Sequence, residues 1–216
     1  MLIAGVDEAG RGPCLGPMVL AITTIDFREE EKLSNIGVKD SKLLSPAQRQ
    51  TKFRELKCIV SEFGVEKVDV EELDRLMDRK SLNEIEAMRV AMLLDNLKEK
   101  PSVVFVDSPD VISHAFADRI RKYLSLDVVI RAEHKADLNY PIVAAASIIA
   151  KVERDREIEK LAKVYGDIGS GYSHDAVTIN FIKKFIGENN KLPHFARRSW
   201  ITSQRLMDER LQQKLV

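Results

Sequence analysis

The stretch Leu2-Ile-Ala-Gly-Val-Asp-Glu-Ala-Gly-Arg-Gly-Pro-Cys-Leu-Gly-Pro17, followed by Met18-Val-Leu-Ala-Ile-Thr-Thr-Ile25, decides the fold. Two apolar runs of strand-forming residues flank a segment whose glycines and prolines allow only a loop. That loop is too short for a parallel crossover, so the two strands are expected to be antiparallel. A dinucleotide-binding reading of Gly10, Gly12 and Gly16 would require a helix next, whereas Pro13, Pro17 and a strand follow.

Working outward, Ser45-Pro-Ala-Gln48 has the form of a helix start, with Ser as N-cap, Pro at the first helical position and Gln closing a capping box. That helix is expected to reach about Lys57. Cys58–Val70 reads as a strand interrupted at Gly64. Ser81-Leu-Asn-Glu84 is a second capping box and opens a helix to about Lys98, with Ile85, Met88, Met92 and Leu93 on one stripe. Val103–Val106 is a strand ending on Asp107. Helices are then expected at Val111–Leu124, Ile142–Tyr165, Ala176–Glu188 and Ile201–Leu215, with a strand at Asp127–Ala132. Strands come first, then alternating helix and strand, then helices only. The expected fold is α/β: a mixed sheet of about five strands flanked by helices, with a helical C-terminal extension.

The 216 residues are 44% hydrophobic and 31% charged, ordinary for a globular protein and incompatible with disorder or a collagen. The longest apolar stretches, such as Val143–Ala150, fall short of the ~20 residues of a membrane span. The N-terminus has no basic region and meets acid at once, so no signal peptide is expected. Cys14 and Cys58 are two cysteines far apart with no CxxC; their number excludes a structural zinc site on ligand count, and a reducing, cytoplasmic location is expected. Net charge is zero, with 34 basic and 34 acidic residues, yet residues 173–216 hold 8 Lys/Arg against 4 Asp/Glu. A basic tail region on an acidic body suits a protein that touches a polyanion, although ordinary surface scatter explains the charge equally well.

Four acids stand out. Asp7 and Glu8 sit where an apolar strand meets the glycine loop. Successive strand residues point to opposite faces, so the pair serves one site only if the strand is already breaking at Glu8. Asp107 ends a second apolar strand, and Asp137 lies in the loop between the last strand and the longest helix. Carboxylates brought together repel and raise one another's pKa, so a cluster calls for a cation. An all-oxygen ligand set selects Mg²⁺ or Mn²⁺. A strand-end cap or a solvated loop residue is the plain alternative for each acid. For Gly10-Arg11-Gly12, close backbone approach to a ligand competes with a simple turn carrying a solvated arginine.

Six ordered segments carry a resemblance to a known family: Gly5-Val-Asp-Glu-Ala-Gly-Arg-Gly-Pro13, Gly37-Val-Lys-Asp-Ser-Lys-Leu-Leu-Ser45, Val106-Asp-Ser-Pro-Asp110, Glu133-His-Lys-Ala-Asp137, Ala144-Ala-Ala-Ser-Ile-Ile-Ala-Lys-Val-Glu-Arg-Asp155 and Gly169-Ser-Gly-Tyr172. From Met1 to about Trp200 the sequence closely resembles ribonuclease HII, particularly its archaeal branch. The resemblance implies an RNase H-like catalytic domain over 1–172 and a basic helical region over 173–216. It implies an endoribonuclease that cleaves RNA in RNA–DNA hybrids and single ribonucleotides embedded in duplex DNA. Cleavage would fall 5′ of the ribonucleotide, leaving 3′-hydroxyl and 5′-phosphate, with two divalent ions in the substrate complex. The family's four metal-binding acids fall on Asp7, Glu8, Asp107 and Asp137. Its sugar-reading loop falls on Gly10, Arg11 and Gly12, and its junction tyrosine on Tyr172.

Lys39 lies in a polar loop that either reaches phosphates or is solvated. Ser147 and Lys151 lie four apart on one helical face and are candidate substrate contacts, with Lys151 either meeting substrate phosphate or pairing with Asp155. His134 is read as a loop histidine before a proton carrier, Asp110 as a neighbour turned aside by Pro109, and Phe195 and Trp200 as packing residues. Asn83 is given a cap-region role. Some relatives end in a sliding-clamp peptide with paired aromatics, and Gln212-Gln-Lys-Leu-Val216 has none, so that partner is left open. A monomer is expected. A non-catalytic hybrid-binding module of the same fold is the rival; it would bind without metal-dependent turnover.

Overall fold

The computed structural model describes residues 1–38 and 44–213. Lys39, read as either reaching phosphates or solvated, lies outside them. The elements in chain order are β1 (Leu2–Ala9), β2 (Met18–Asp26), a 3₁₀ turn (Phe27–Glu29), α1 (Glu31–Asn35), α2 (Pro46–Leu56), β3 (Glu62–Val68), α3 (Val70–Met77) and α4 (Leu82–Asn96). There follow β4 (Val103–Asp107), α5 (Ser113–Arg121), β5 (Val129–Glu133), α6 (Ala136–Asn139), α7 (Pro141–Tyr165), α8 (Ala176–Asn189) and α9 (Ile201–Gln213).

The strands form one five-stranded sheet in the order β3-β2-β1-β4-β5. β1 pairs with β2 antiparallel, and β4 pairs parallel with both β1 and β5, the mixed sheet expected from the chain order. Gly64 does not interrupt β3. It sits inside the strand, where an added Cβ would come within 3.1 Å of Ile22 Cγ2. Val70, read as strand, instead opens α3, capped by Asp69, whose side chain accepts from Glu72 N–H at 2.8 Å. At Ser81 only half of the expected box forms. Ser81 Oγ accepts from Glu84 N–H, but the Glu84 carboxylate turns to Arg119 and Tyr123.

The chain divides into two compact units, Met1–Ala9 with Val19–Glu66 and Lys80–Glu153, and Gly10–Met18 with Lys67–Arg79 and Arg154–Val216. In the first unit the N-terminal half of α7 is buried all round, from Ile142 to Ala150. A helix apolar on every side is a core helix, and its four large aliphatic residues each contribute roughly 2 kcal/mol by burial. The contact that admits it is Gly5. A Cβ there would lie 2.6 Å from Val143 N and closer still to the Ile142 carbonyl. Thr23, opposite Gly5 across β2, donates its hydroxyl to the Ile142 carbonyl at 2.9 Å and fixes the helix at that level. In the second unit a smaller core gathers Cys14, Leu15, Ile168, Ile182, Ile186, Phe195, Ala196 and Leu206.

Gly5→Ala forces helix backbone away from strand backbone, so a loss of about 2–3 kcal/mol is expected from the denaturation midpoint. Gly187→Ala, where an added Cβ meets nothing within 4 Å, should hold or raise stability. Equal behaviour of the two variants would contradict this account of the packing.

Candidate active site

The parallel register places Val6 opposite Val106 and Asp107 opposite Glu133, so Asp7 lies level with Asp107, where β4 ends and β1 runs on to Ala9. Side chains in register across a sheet share a face, and the row Asp7–Asp107–Glu133 therefore lies on the face that carries Gly5 and α7. Gly5 to Asp7 is two strand residues, about 6.6 Å. Ile142 to Ser147 is five helix residues, about 7.5 Å. Helix and strand thus advance together, and the Ser147 hydroxyl reaches Asp7 in a hydrogen bond.

Ser147 is the one polar side chain in the buried run 142–150. Its Oγ accepts from Lys151 Nζ at 2.7 Å while its own proton goes to Asp7. The two residues expected at the substrate are therefore linked to an acid. Asp7 is buried and its carboxyl is held well above the ordinary range, first by desolvation, then by the charges of Glu8 and, more weakly, Asp107. The Ser147 hydroxyl and the Glu8 N–H, which donates to Asp7 Oδ1 at 2.8 Å, act in the opposite sense.

Asp107 Oδ1 accepts the Ala136 N–H at 2.8 Å, which ties the end of β4 to the turn carrying Asp137. That turn depends on Lys135, whose φ of 56° is left-handed at a cost of about 1–2 kcal/mol for a side chain with a Cβ. Asp137, the next residue after Ala136, is 2% exposed. The expected strand break at Glu8 does not occur. β1 stays paired through Glu8↔Leu20 and Ala9↔Val19, yet the Glu8 charge still bears on Asp7, so the two acids act on one another without a strand break. Among the described residues no three His, Cys, Asp or Glu side chains are already spaced as a metal-holding group. What is assembled is a row of acids of like charge, composed of hard oxygen donors, which suits Mg²⁺ or Mn²⁺ and no softer metal.

Neighbouring residues hold this corner. His134 turns Nδ1 to the Ser108 carbonyl and Nε2 to the Val111 carbonyl, each at 3.3 Å, as a loop histidine would. Asp110 is engaged by Arg119 and by Asn83, which gives Asn83 a role beyond its cap.

In the second unit the glycine loop and Tyr172 come together. A Cβ on Gly12 would lie 4.0 Å from Tyr172 Cε1. Gly10 has φ of 80°, and a Cβ there would meet the Arg154 side chain at 2.5 Å, so no other residue fits. Arg154 also lies over the Tyr172 ring, 5.2 Å from its centroid. Thr178 fixes the turn before Tyr172, accepting from Gly171 N–H at 2.9 Å and donating to the Ile168 carbonyl at 3.0 Å. Arg197, which the sequence did not single out, is fully buried and donates to the carbonyls of Gly10, Arg11 and Gly16.

A carboxyl raised in the folded state binds a proton that the unfolded chain has released. Stability is therefore lost as pH rises from the ordinary 3.8 through the raised value. Asp7→Asn should accordingly be more stable than the parent at pH 7 in chelator, by denaturation midpoint, and the advantage should shrink as pH falls toward 4. An Asp7→Asn protein no more stable than the parent at pH 7 would contradict this reading of Asp7.

No helix among the described residues is long and apolar enough to cross a membrane. The ribonuclease HII family model matches residues 4–203. The ribonuclease HII of Pyrococcus furiosus is 44% identical over 206 residues, covering 95% of this chain and 91% of its own. The crystal structure of the ribonuclease H2 from Pyrococcus horikoshii superposes with a TM-score of 0.92 at 44% identity, covering 97% of this chain and 98% of that one. The RNase HII of the PCNA:RNase HII complex from Archaeoglobus fulgidus gives 0.84 at 43% identity, covering 93% and 95%. With its RNase H-like mixed sheet and these full-length likenesses, the chain belongs to the ribonuclease HII family of ribonuclease H endonucleases.

Proposed function

We propose that this chain cleaves the RNA strand of RNA–DNA hybrids, and single ribonucleotides embedded in duplex DNA, 5′ of the ribonucleotide, leaving 3′-hydroxyl and 5′-phosphate. The observation that carries the reading is the row of acids level across β1, β4 and β5, with Asp7 buried beside like charges. Such a row is held together only at a cost, and that cost is lifted by positive charge. Asp7, Glu8, Asp107 and Asp137 would hold Mg²⁺ or Mn²⁺, two ions when substrate is present. Bound divalent ions supply charge neutralisation, an activated water and stabilisation of the departing 3′-oxygen.

The protein's own groups do the rest. Ser147, itself held by Lys151, fixes the Asp7 carboxylate in one orientation. Ala136 N–H does the same for Asp107. The backbone of Gly10–Gly12 reads the ribose 2′-hydroxyl, the group that separates RNA from DNA, and Arg11 adds charge for phosphate. Tyr172 packs on the deoxyribose at the junction, and Lys39 contacts the backbone. The basic region 173–216, retained as a segment following a catalytic part over 1–172, supplies salt-sensitive affinity for duplex. One chain suffices for this reaction, and its setting is the cytoplasm. A sliding clamp, seen with the Archaeoglobus fulgidus relative, is not required by it.

The test is a duplex bearing one ribonucleotide, incubated with Mg²⁺, Mn²⁺ or chelator. Cleavage with either metal and none in chelator is expected, and equal products in all three would sink the proposal. Asp107→Asn should lower turnover by roughly three orders of magnitude with the fold retained, and near-full activity would remove Asp107 from the site. Tyr172→Ala should lose more activity on the single-ribonucleotide duplex than on a long hybrid, a ratio that stays at the parent value if Tyr172 has no junction role.

A further inference from the structure

A loop that reads a sugar through its backbone cannot aim itself with side chains, so its peptide planes have to be set from elsewhere. In the second unit every carbonyl of Gly10–Gly12 is taken. Arg197 Nη2 donates to Gly10 O at 2.5 Å and Nη1 to Arg11 O at 2.9 Å, while Trp200 Nε1 donates to Gly12 O at 3.2 Å. Arg197 Nε holds Gly16 O at 3.0 Å, which closes the loop onto the same guanidinium. The guanidinium lies over the Trp200 ring, 4.6 Å from its centroid, so the donors form one layered platform.

The segment carrying them is itself clamped. The buried Asp74 accepts from Arg198 N–H at 2.9 Å, from Ser199 N–H at 3.1 Å and from the Ser199 hydroxyl at 2.7 Å. Among the described residues there is no cis peptide bond, and in a trans peptide the carbonyl and the next N–H point in opposite directions. Holding Gly10 O and Arg11 O on the platform therefore sends the N–H groups of Arg11 and Gly12 away from it. The carbonyl of Gly12 precedes Pro13, which has no N–H. Two adjacent donors result, aimed to one side.

We infer that Arg197 and Trp200 are positioning residues that aim the N–H groups of Arg11 and Gly12 at the ribose 2′-hydroxyl, and so set the preference for ribose over deoxyribose. The inference deepens the proposed function and rests on its reading of the Gly10–Gly12 loop. Burial, and then the like charge of Arg154, pulls the Arg197 guanidinium down to about 9, so it remains a cation and keeps all its donors at neutral pH.

The test compares the full-length parent with Trp200→Phe, Arg197→Lys and Gly12→Ala. Trp200→Phe keeps the ring and removes one N–H, Arg197→Lys keeps the charge and removes the fork, and Gly12→Ala adds a methyl that the protein itself accommodates. Binding of a labelled duplex with one ribonucleotide, and of the same duplex in all-DNA form, is measured in chelator, with thermal midpoints recorded. The expected result is a five- to tenfold fall in the ribose preference of Trp200→Phe and Arg197→Lys, with all-DNA affinity kept, the order of one lost hydrogen bond. In turnover with metal, KM should rise while kcat holds. A merely structural role would weaken both duplexes alike and overturn the inference. If Gly12→Ala loses the preference while Trp200→Phe and Arg197→Lys keep it, the platform is refuted and the loop reading stands. If Gly12→Ala keeps it, the loop reading fails and takes the inference with it.

Discussion

The missing side chain at Gly5 is the constraint on which the first unit depends. Because nothing projects from β1 at that level, the backbone of α7 rests directly on the strand, and Thr23 locks it there. Two residues further along the strand comes Asp7, and five further along the helix comes Ser147. Their meeting follows from the repeat distances of strand and helix, not from any feature local to either residue. A one-residue slip of α7 would carry Ser147 round the helix by about 100° and leave Asp7 without its donor.

The arrangement works against stability. Asp7 is desolvated next to Glu8 and within the field of Asp107, and both neighbours oppose its ionisation. Further cost lies in the left-handed Lys135, which turns the chain so that Ala136 can bond Asp107. The first unit offsets this with the fully buried run Ile142–Ala150. The second unit uses a different device. There the buried cation Arg197 is satisfied by the backbone carbonyls of Gly10, Arg11 and Gly16, and Arg154 Nη2 donates to those of Leu15 and Ser170. A guanidinium suits this because its donors lie in one rigid plane.

Much of the fold was legible because its signals are local. Ser45 and Gln48 form the capping box their spacing announces, and the glycine- and proline-rich link makes β1 and β2 antiparallel. Asp107 was legible as the polar end of an apolar strand. Where the sequence misled, the deciding partner was distant or the signal ambiguous. Glu84 was read as closing a cap, yet Arg119, 35 residues away, claims it. Val70 has strand propensity, but Asp69 and Glu72 make it the start of a helix, a signal that was present and outweighed by the apolar run. Glu8 was expected to leave the strand, and pairing with Leu20 keeps it there. Arg197 was invisible, since its three acceptors lie more than 180 residues earlier and are main-chain atoms that no side-chain pattern reveals.

The central claim is that the acid row places divalent cations on the scissile phosphate. Its most direct test replaces a non-bridging oxygen of that phosphate with sulfur, one diastereomer at a time, and compares cleavage in Mg²⁺ with cleavage in Mn²⁺. Sulfur binds the softer ion better, so the account predicts a large loss of rate in Mg²⁺ that Mn²⁺ restores for at least one diastereomer. An equal sulfur effect in both metals, for both diastereomers, would contradict it.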